Sequence, residues 1–156
     1  MSQIVEGSPA PDFALPADGG STLSLSALNG KIVVLYFYPK DDTSGCTAEA
    51  IDFSRLKPDF EALDAVVVGM SPDSAAKHEK FKAKHDLSVT LVADEELKTL
   101  QDYGVWIEKS MYGRKYMGVE RATFLIGKDG KIAKIWRKVK VPGHAEAVLD
   151  AVRALG

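Results

Sequence analysis

The chain has 156 residues, 46% apolar and 27% charged, and its 20 Lys and Arg against 22 Asp and Glu leave a formal charge of −2. This length suits one domain spanning residues 1–156, burying roughly 70% of its unfolded surface. The near balance of charge gives no electrostatic case for nucleic acid or an anionic membrane as partner.

The opening MSQIVEGSPAPDF lacks the basic start and apolar run of a secretory signal. Its prolines, Pro9, Pro11 and Pro16, hold off regular structure until about Thr22. KIVVLYFY, residues 31–38, is β-branched and aromatic with apolar residues on both faces, which predicts a central strand covered on both sides and ended by Pro39. That run is also the longest apolar one, far short of the ~20 residues that span a bilayer. Phe53, Leu56, Phe60 and Leu63 step at helical spacing through residues 43–63, with a kink or short break expected at Pro58.

DAVVVGMS, residues 64–71, predicts a second buried strand. Ser71, Asp73 or Ser74 then caps a helix reaching about His85. A third strand is expected at 88–92 and a third helix at 95–103, followed by an irregular aromatic and basic segment over 105–118. ATFLI and KIAKIW flank GKDG, an Asp-Gly turn that predicts a hairpin. Residues 145–155 read as a last helix. This order predicts an α/β fold, a mixed central sheet flanked by helices.

The chemistry centres on YPKDDTSGCTAEAI, which holds the single cysteine, Cys46. One cysteine forms no internal disulfide, which together with the start that lacks a secretory signal makes the cytoplasm the expected location. A lone cysteine is commonly a small buried hydrophobe. Cys46, however, falls in the first turn after a strand, where free N–H groups and the helix dipole stabilise a thiolate. Thr43, three residues earlier, suits an N-cap whose hydroxyl can also reach a thiolate or an incoming oxygen. Pro39 adds an apolar wall without an N–H. Glu49 shares the helix face of Cys46, and an acid there calls for a cation, with Arg121 and Lys40 as candidates.

Pro39-x-x-x-Thr43-x-x-Cys46, with Arg121 in ERATFLI, resembles the peroxiredoxin active-site pattern. LYFYPKDDTSGCTAEA, VVVGMSPDS and YGVWIEKSMYGRKYMGVERATFLIGKDGKI are similar to the PrxQ, or bacterioferritin comigratory protein, branch. The resemblance implies a thioredoxin-like fold and a thiol peroxidase. Cys46 becomes the peroxidatic nucleophile, Thr43 and Arg121 hold thiolate and peroxide, and Pro39 shields the sulfur. The N–H groups of Gly45 and Cys46 bind peroxide, and Glu49 orients Arg121. Hydrogen peroxide or an organic hydroperoxide is then the substrate. The reductant is an external thiol, either thioredoxin or glutaredoxin with glutathione, and the branch suggests a monomer or weak dimer without cofactor.

The resemblance also marks a departure. Many members place a resolving cysteine five residues after the peroxidatic one, where this chain has Ile51; others place it on the next helix, near Phe81 and Lys82. Positions five apart on a helix lie about 8.6 Å apart at Cα, beyond the ~7 Å a disulfide tolerates. A one-cysteine cycle follows as the expectation, with a thiol-based peroxide sensor or redox relay as the alternative and a holdase or interaction protein on the same scaffold as a third reading. His78 and His85, seven apart, offer no zinc spacing. His144 is expected to be solvated. Lys134, Arg137, Lys138 and Lys140 read as a solvated face, and Trp106, Tyr112 and Tyr116 as core or loop anchors. No phosphate-binding glycine motif occurs.

Overall fold

The computed structural model describes residues 4–155. Two short strands, β1 (Ala14–Pro16) and β2 (Thr22–Ser24), pair antiparallel near the start. The main elements follow as β3 (Ile32–Phe37), α1 (Ser44–Ala62), β4 (Ala65–Ser71), α2 (Ala75–His85), β5 (Thr90–Ala93) and α3 (Lys98–Asp102). Then come β6 (Trp106–Met111), β7 (Arg114–Val119), β8 (Ala122–Ile126), β9 (Ile132–Trp136) and α4 (His144–Leu155).

The central sheet runs β5-β4-β3-β8-β9. β3 pairs parallel with β4 and antiparallel with β8, so the sheet is mixed, as the element order predicts. Every residue of β3 is buried. Successive side chains of a strand point to opposite faces. Val34, Tyr36 and Tyr38 accordingly join Phe53, Phe81 and Val148 on the face covered by α1, α2 and α4. Val33, Leu35 and Phe37 join Met70, Leu100 and Phe124 on the other.

Four expectations change. First, α1 runs unbroken through Pro58. A helical proline frees the carbonyl four residues back, here that of Ser54, and the Ser88 hydroxyl donates to it at 3.3 Å. Second, Ser54 Oγ accepts the amides of Ser88 and Val89 at 3.0 and 3.4 Å, which delays β5 to Thr90. Third, Leu97 adopts a left-handed backbone (φ 67°), so α3 begins only at Lys98.

Fourth, the stretch read as irregular is the β6–β7 hairpin. Tyr112 and Gly113 have φ of 51° and 78°, the two left-handed residues that a tight hairpin turn needs. Tyr112 is 98% exposed, and Tyr116 is exposed too, so neither anchors the core, whereas Trp106 packs against it. The four basic residues Lys134, Arg137, Lys138 and Lys140 are exposed, as expected. No helix among the described residues is long and apolar enough to cross a membrane.

Candidate active site

Strand register assembles the site. Phe37 pairs with Ala122, so the residue before β8, Arg121, stands beside the end of β3 where the chain turns toward α1. Thr43 is the N-cap of α1, with an extended backbone (φ −88°, ψ 156°) and no side-chain cap. The first helical bond is Thr47 N–H to Thr43 O at 2.8 Å. The N–H groups of Ser44, Gly45 and Cys46 therefore precede the helical ladder, an array suited to negative charge.

Cys46 is 1% exposed and unpaired. Arg121 Nη2 donates to its sulfur at 3.2 Å, and Nη1 donates to Glu49 Oε1 at 2.6 Å. One guanidinium fork thus joins the thiol to a carboxylate one helical turn below it. Of the two candidate cations, the fold brings Arg121 to the sulfur, while Lys40 is exposed beside α2. Gly45 makes the approach possible, because a Cβ there would sit 3.1 Å from Arg121 Nη2.

Burial works against the charge on Arg121, but Glu49 and the Cys46 sulfur more than offset it and hold the guanidinium firmly protonated. Glu49 is 1% exposed. Burial pushes its carboxyl up to about 7 against the opposing pull of Arg121. Among the described residues its Oε2 has no hydrogen-bond partner, and neither does the buried hydroxyl of Tyr36. Burial first, then the charges of Glu49 and Cys46, raise the Tyr36 phenol well above its ordinary range. Tyr36 was not foreseen, since in sequence it is one more apolar residue of a buried strand.

The expected Thr43 contact is different in the structure. Its hydroxyl donates to Lys40 O at 2.9 Å rather than to the sulfur, its single proton being taken by an acceptor three residues back. Pro39 is half-buried at the exit of β3. Ile51 is 43% exposed on α1. His144 corrects another expectation. It is buried at the start of α4, 2.7 Å from Thr123 Oγ1 and edge-on to Phe53 and Trp136. Burial, then the positive field of Arg121, lowers it to about 4. His78 is likewise buried, and its partners are Asp41 and the Val92 carbonyl.

The model of the AhpC/TSA family matches residues 7–135. The chain belongs to that family. It is 50% identical to the peroxiredoxin Bcp of Bacillus subtilis over 147 residues, 94% of either chain. Among solved structures, Xanthomonas campestris peroxiredoxin Q superposes with a TM-score of 0.88 at 44% identity, covering 91% of this chain and 90% of that one. BcpB from Mycobacterium tuberculosis superposes with a TM-score of 0.87 at 32% identity over 99% of both chains. A further Xanthomonas campestris structure, of a bacterioferritin comigratory protein studied for alkyl peroxide reduction, gives 0.87 at 43% identity. The fold is thus the thioredoxin-like one of the peroxiredoxins, here carrying a single cysteine.

Proposed function

We propose that this peroxiredoxin reduces hydrogen peroxide and organic hydroperoxides through Cys46 and returns to the thiol state at the expense of an external thiol. The observation that carries the proposal is the Arg121 N–H lying 3.2 Å from a sulfur at an uncapped helix start. Such a site aims a charged N–H donor and the free amides of a helix start at a single nucleophilic sulfur.

The thiolate attacks one peroxide oxygen. The O–O bond breaks, its electron pair leaves with the other oxygen, and Cys46 becomes a sulfenic acid. Negative charge grows on the departing oxygen, and the N–H groups of Gly45 and Cys46 with the Arg121 fork receive it. Thr43, whose own proton rests on the Lys40 carbonyl, keeps lone pairs that can accept a peroxide O–H. Pro39 walls the sulfur from water, and Glu49 fixes the plane of the guanidinium.

Recovery needs two thiols from outside. The first attacks the Cys46 sulfur, forming a mixed disulfide as the S–O bond breaks and water leaves. The second takes the outer sulfur and releases the Cys46 thiolate. Thioredoxin, or glutaredoxin with glutathione, supplies these electrons. α1 need not unwind for this, because Ile51 offers no thiol on its face. We take the working unit to be a cytoplasmic monomer.

A peroxide-consumption assay run with thioredoxin, with glutathione plus glutaredoxin, and with a small dithiol tests the proposal. Turnover lost in Cys46→Ser, and a sulfenic acid or mixed disulfide on Cys46 after one equivalent of peroxide, are expected. Full turnover by Cys46→Ser would sink it.

A further inference from the structure

The loop over residues 39–43 hands β3 to the cysteine-bearing start of α1, and two carboxylates fasten it to α2. Asp41 is the inner one. Its Oδ1 accepts the Tyr38 hydroxyl at 2.5 Å, its Oδ2 stands 2.6 Å from His78 Nδ1, and its amide donates to Asp73 Oδ2 at 2.7 Å. The hydroxyl of Ser71 holds the same Asp73 oxygen at 2.9 Å. Asp42 is the outer one, 2.6 Å from Lys84 Nζ and 2.7 Å from His85 Nε2. It is exposed, so this pair contributes little.

His78 is 0% exposed, and its Nε2 lies 2.9 Å from the Val92 carbonyl. A carboxylate and a carbonyl are both acceptors. Each ring nitrogen therefore faces one acceptor, so the ring ties the loop carboxylate to the backbone of β5. Burying such a pair is costly compared with apolar packing, and removing one partner is costlier still. The peroxide chemistry at Cys46 uses neither residue. Tyr38 just after β3, Asp41 from the loop and Asp73 from the turn after β4 are the ionisable groups gathered here. Every one of them acts on the loop that precedes the cysteine.

We infer that Asp41 and His78 form a positioning clamp that fixes the loop ahead of α1 and so keeps the Cys46 sulfur and the helix N–H groups aligned with Arg121. The inference deepens the peroxidase reading and rests on it for its purpose. In a chain whose only thiol is Cys46, the loop has no second thiol to open toward, so a permanent fastening does not obstruct turnover.

Two near-isosteric substitutions separate positioning from mere filling of the core. His78→Asn places an amide N–H near the position of Nδ1 and keeps a donor for Asp41. His78→Gln places it near Nε2, keeping the Val92 bond and losing Asp41. The readouts are the pH profile of Cys46 alkylation by iodoacetamide, which needs no peroxide, and then the rate with hydrogen peroxide.

His78→Asn is expected to keep the wild-type profile and a rate within about threefold. His78→Gln and Asp41→Asn are expected to shift the profile upward in pH and to react about tenfold more slowly at pH 7. Equal behaviour of the two histidine variants, or a wild-type profile and rate in Asp41→Asn, would overturn the clamp. Asp41→Asn carries the decision alone if the histidine variants do not fold. A wild type that alkylates readily yet consumes no peroxide would overturn the peroxidase reading instead, leaving the alkylation comparison to judge the clamp.

Discussion

Replacing Arg121 by glutamine removes the cation that touches the thiol while keeping an N–H donor. At 3.2 Å, two unit charges in an effective dielectric of about 20 attract by about 5 kcal/mol. Glu49 already neutralises part of the guanidinium at 2.6 Å, and the arginine side chain is 16% exposed. Half that figure, about 2.5 kcal/mol, corresponds to nearly two decades in rate. Arg121→Gln is therefore expected to react with hydrogen peroxide about 100-fold more slowly at pH 7, in stopped-flow mixing with excess peroxide. Arg121→Lys keeps the charge but loses the planar fork that serves sulfur and carboxylate together, so it should recover only part, about tenfold. An Arg121→Gln rate within threefold of wild type, with an unshifted alkylation profile, would show that the guanidinium does not govern the sulfur.

Other outcomes follow from the same geometry. Glu49, raised to about 7 by burial, contributes stability that is complete below its unfolded pKa of about 4.3 and is lost as pH rises through 7, up to about 4 kcal/mol. His144, lowered to about 4 by burial, contributes stability that is complete above about 6.5 and is lost as pH falls toward 4. The two slopes oppose each other between about pH 4.5 and 6.5. Urea unfolding across that range should show Glu49→Gln losing stability toward acid and His144→Gln losing it toward neutrality; slopes of the same sign would contradict both assignments. Pro58→Ala restores a helical N–H to Ser54 O, whose present partner is the Ser88 hydroxyl at 3.3 Å, and should add about 1–2 kcal/mol in thermal melts. A lower melting temperature would show that the Ser88 contact outweighs the recovered bond. With no internal thiol to trap the sulfenic acid, excess peroxide should drive Cys46 to sulfinic acid, with inactivation that falls as thiol reductant is raised and that mass spectrometry locates on Cys46.

Local pattern alone determined a good deal of this protein. A short, continuous β-branched and aromatic run closed by Pro39 fits a covered central strand, so the placement of Cys46 in the first turn of α1 was readable from residues 31–46. Glu49 follows by helical spacing, and Ile51 by counting. Contacts distant in sequence were a different matter. Arg121 lies 75 positions from Cys46; the family resemblance named it, but local pattern left it level with Lys40, and the antiparallel register of β3 with β8 is the physical reason it reaches the sulfur.

Pro58 read as a break because the partner that satisfies Ser54 O comes from Ser88, 34 positions away. The β6–β7 hairpin was invisible because its strands are largely exposed and carry no alternating apolar signal, and its turn is Tyr-Gly rather than Asn-Gly. His144 read as solvated and the burial of His78 had no sequence signal, since burial belongs to the packing around a side chain and not to its spacing. Sequence therefore specified the nucleophile and the strand and helix that present it. Tertiary structure decided how Arg121 is shared between the thiol and Glu49, where the Thr43 hydroxyl spends its proton, and which histidines are sealed inside, because each is settled by groups that meet only once the sheet has formed.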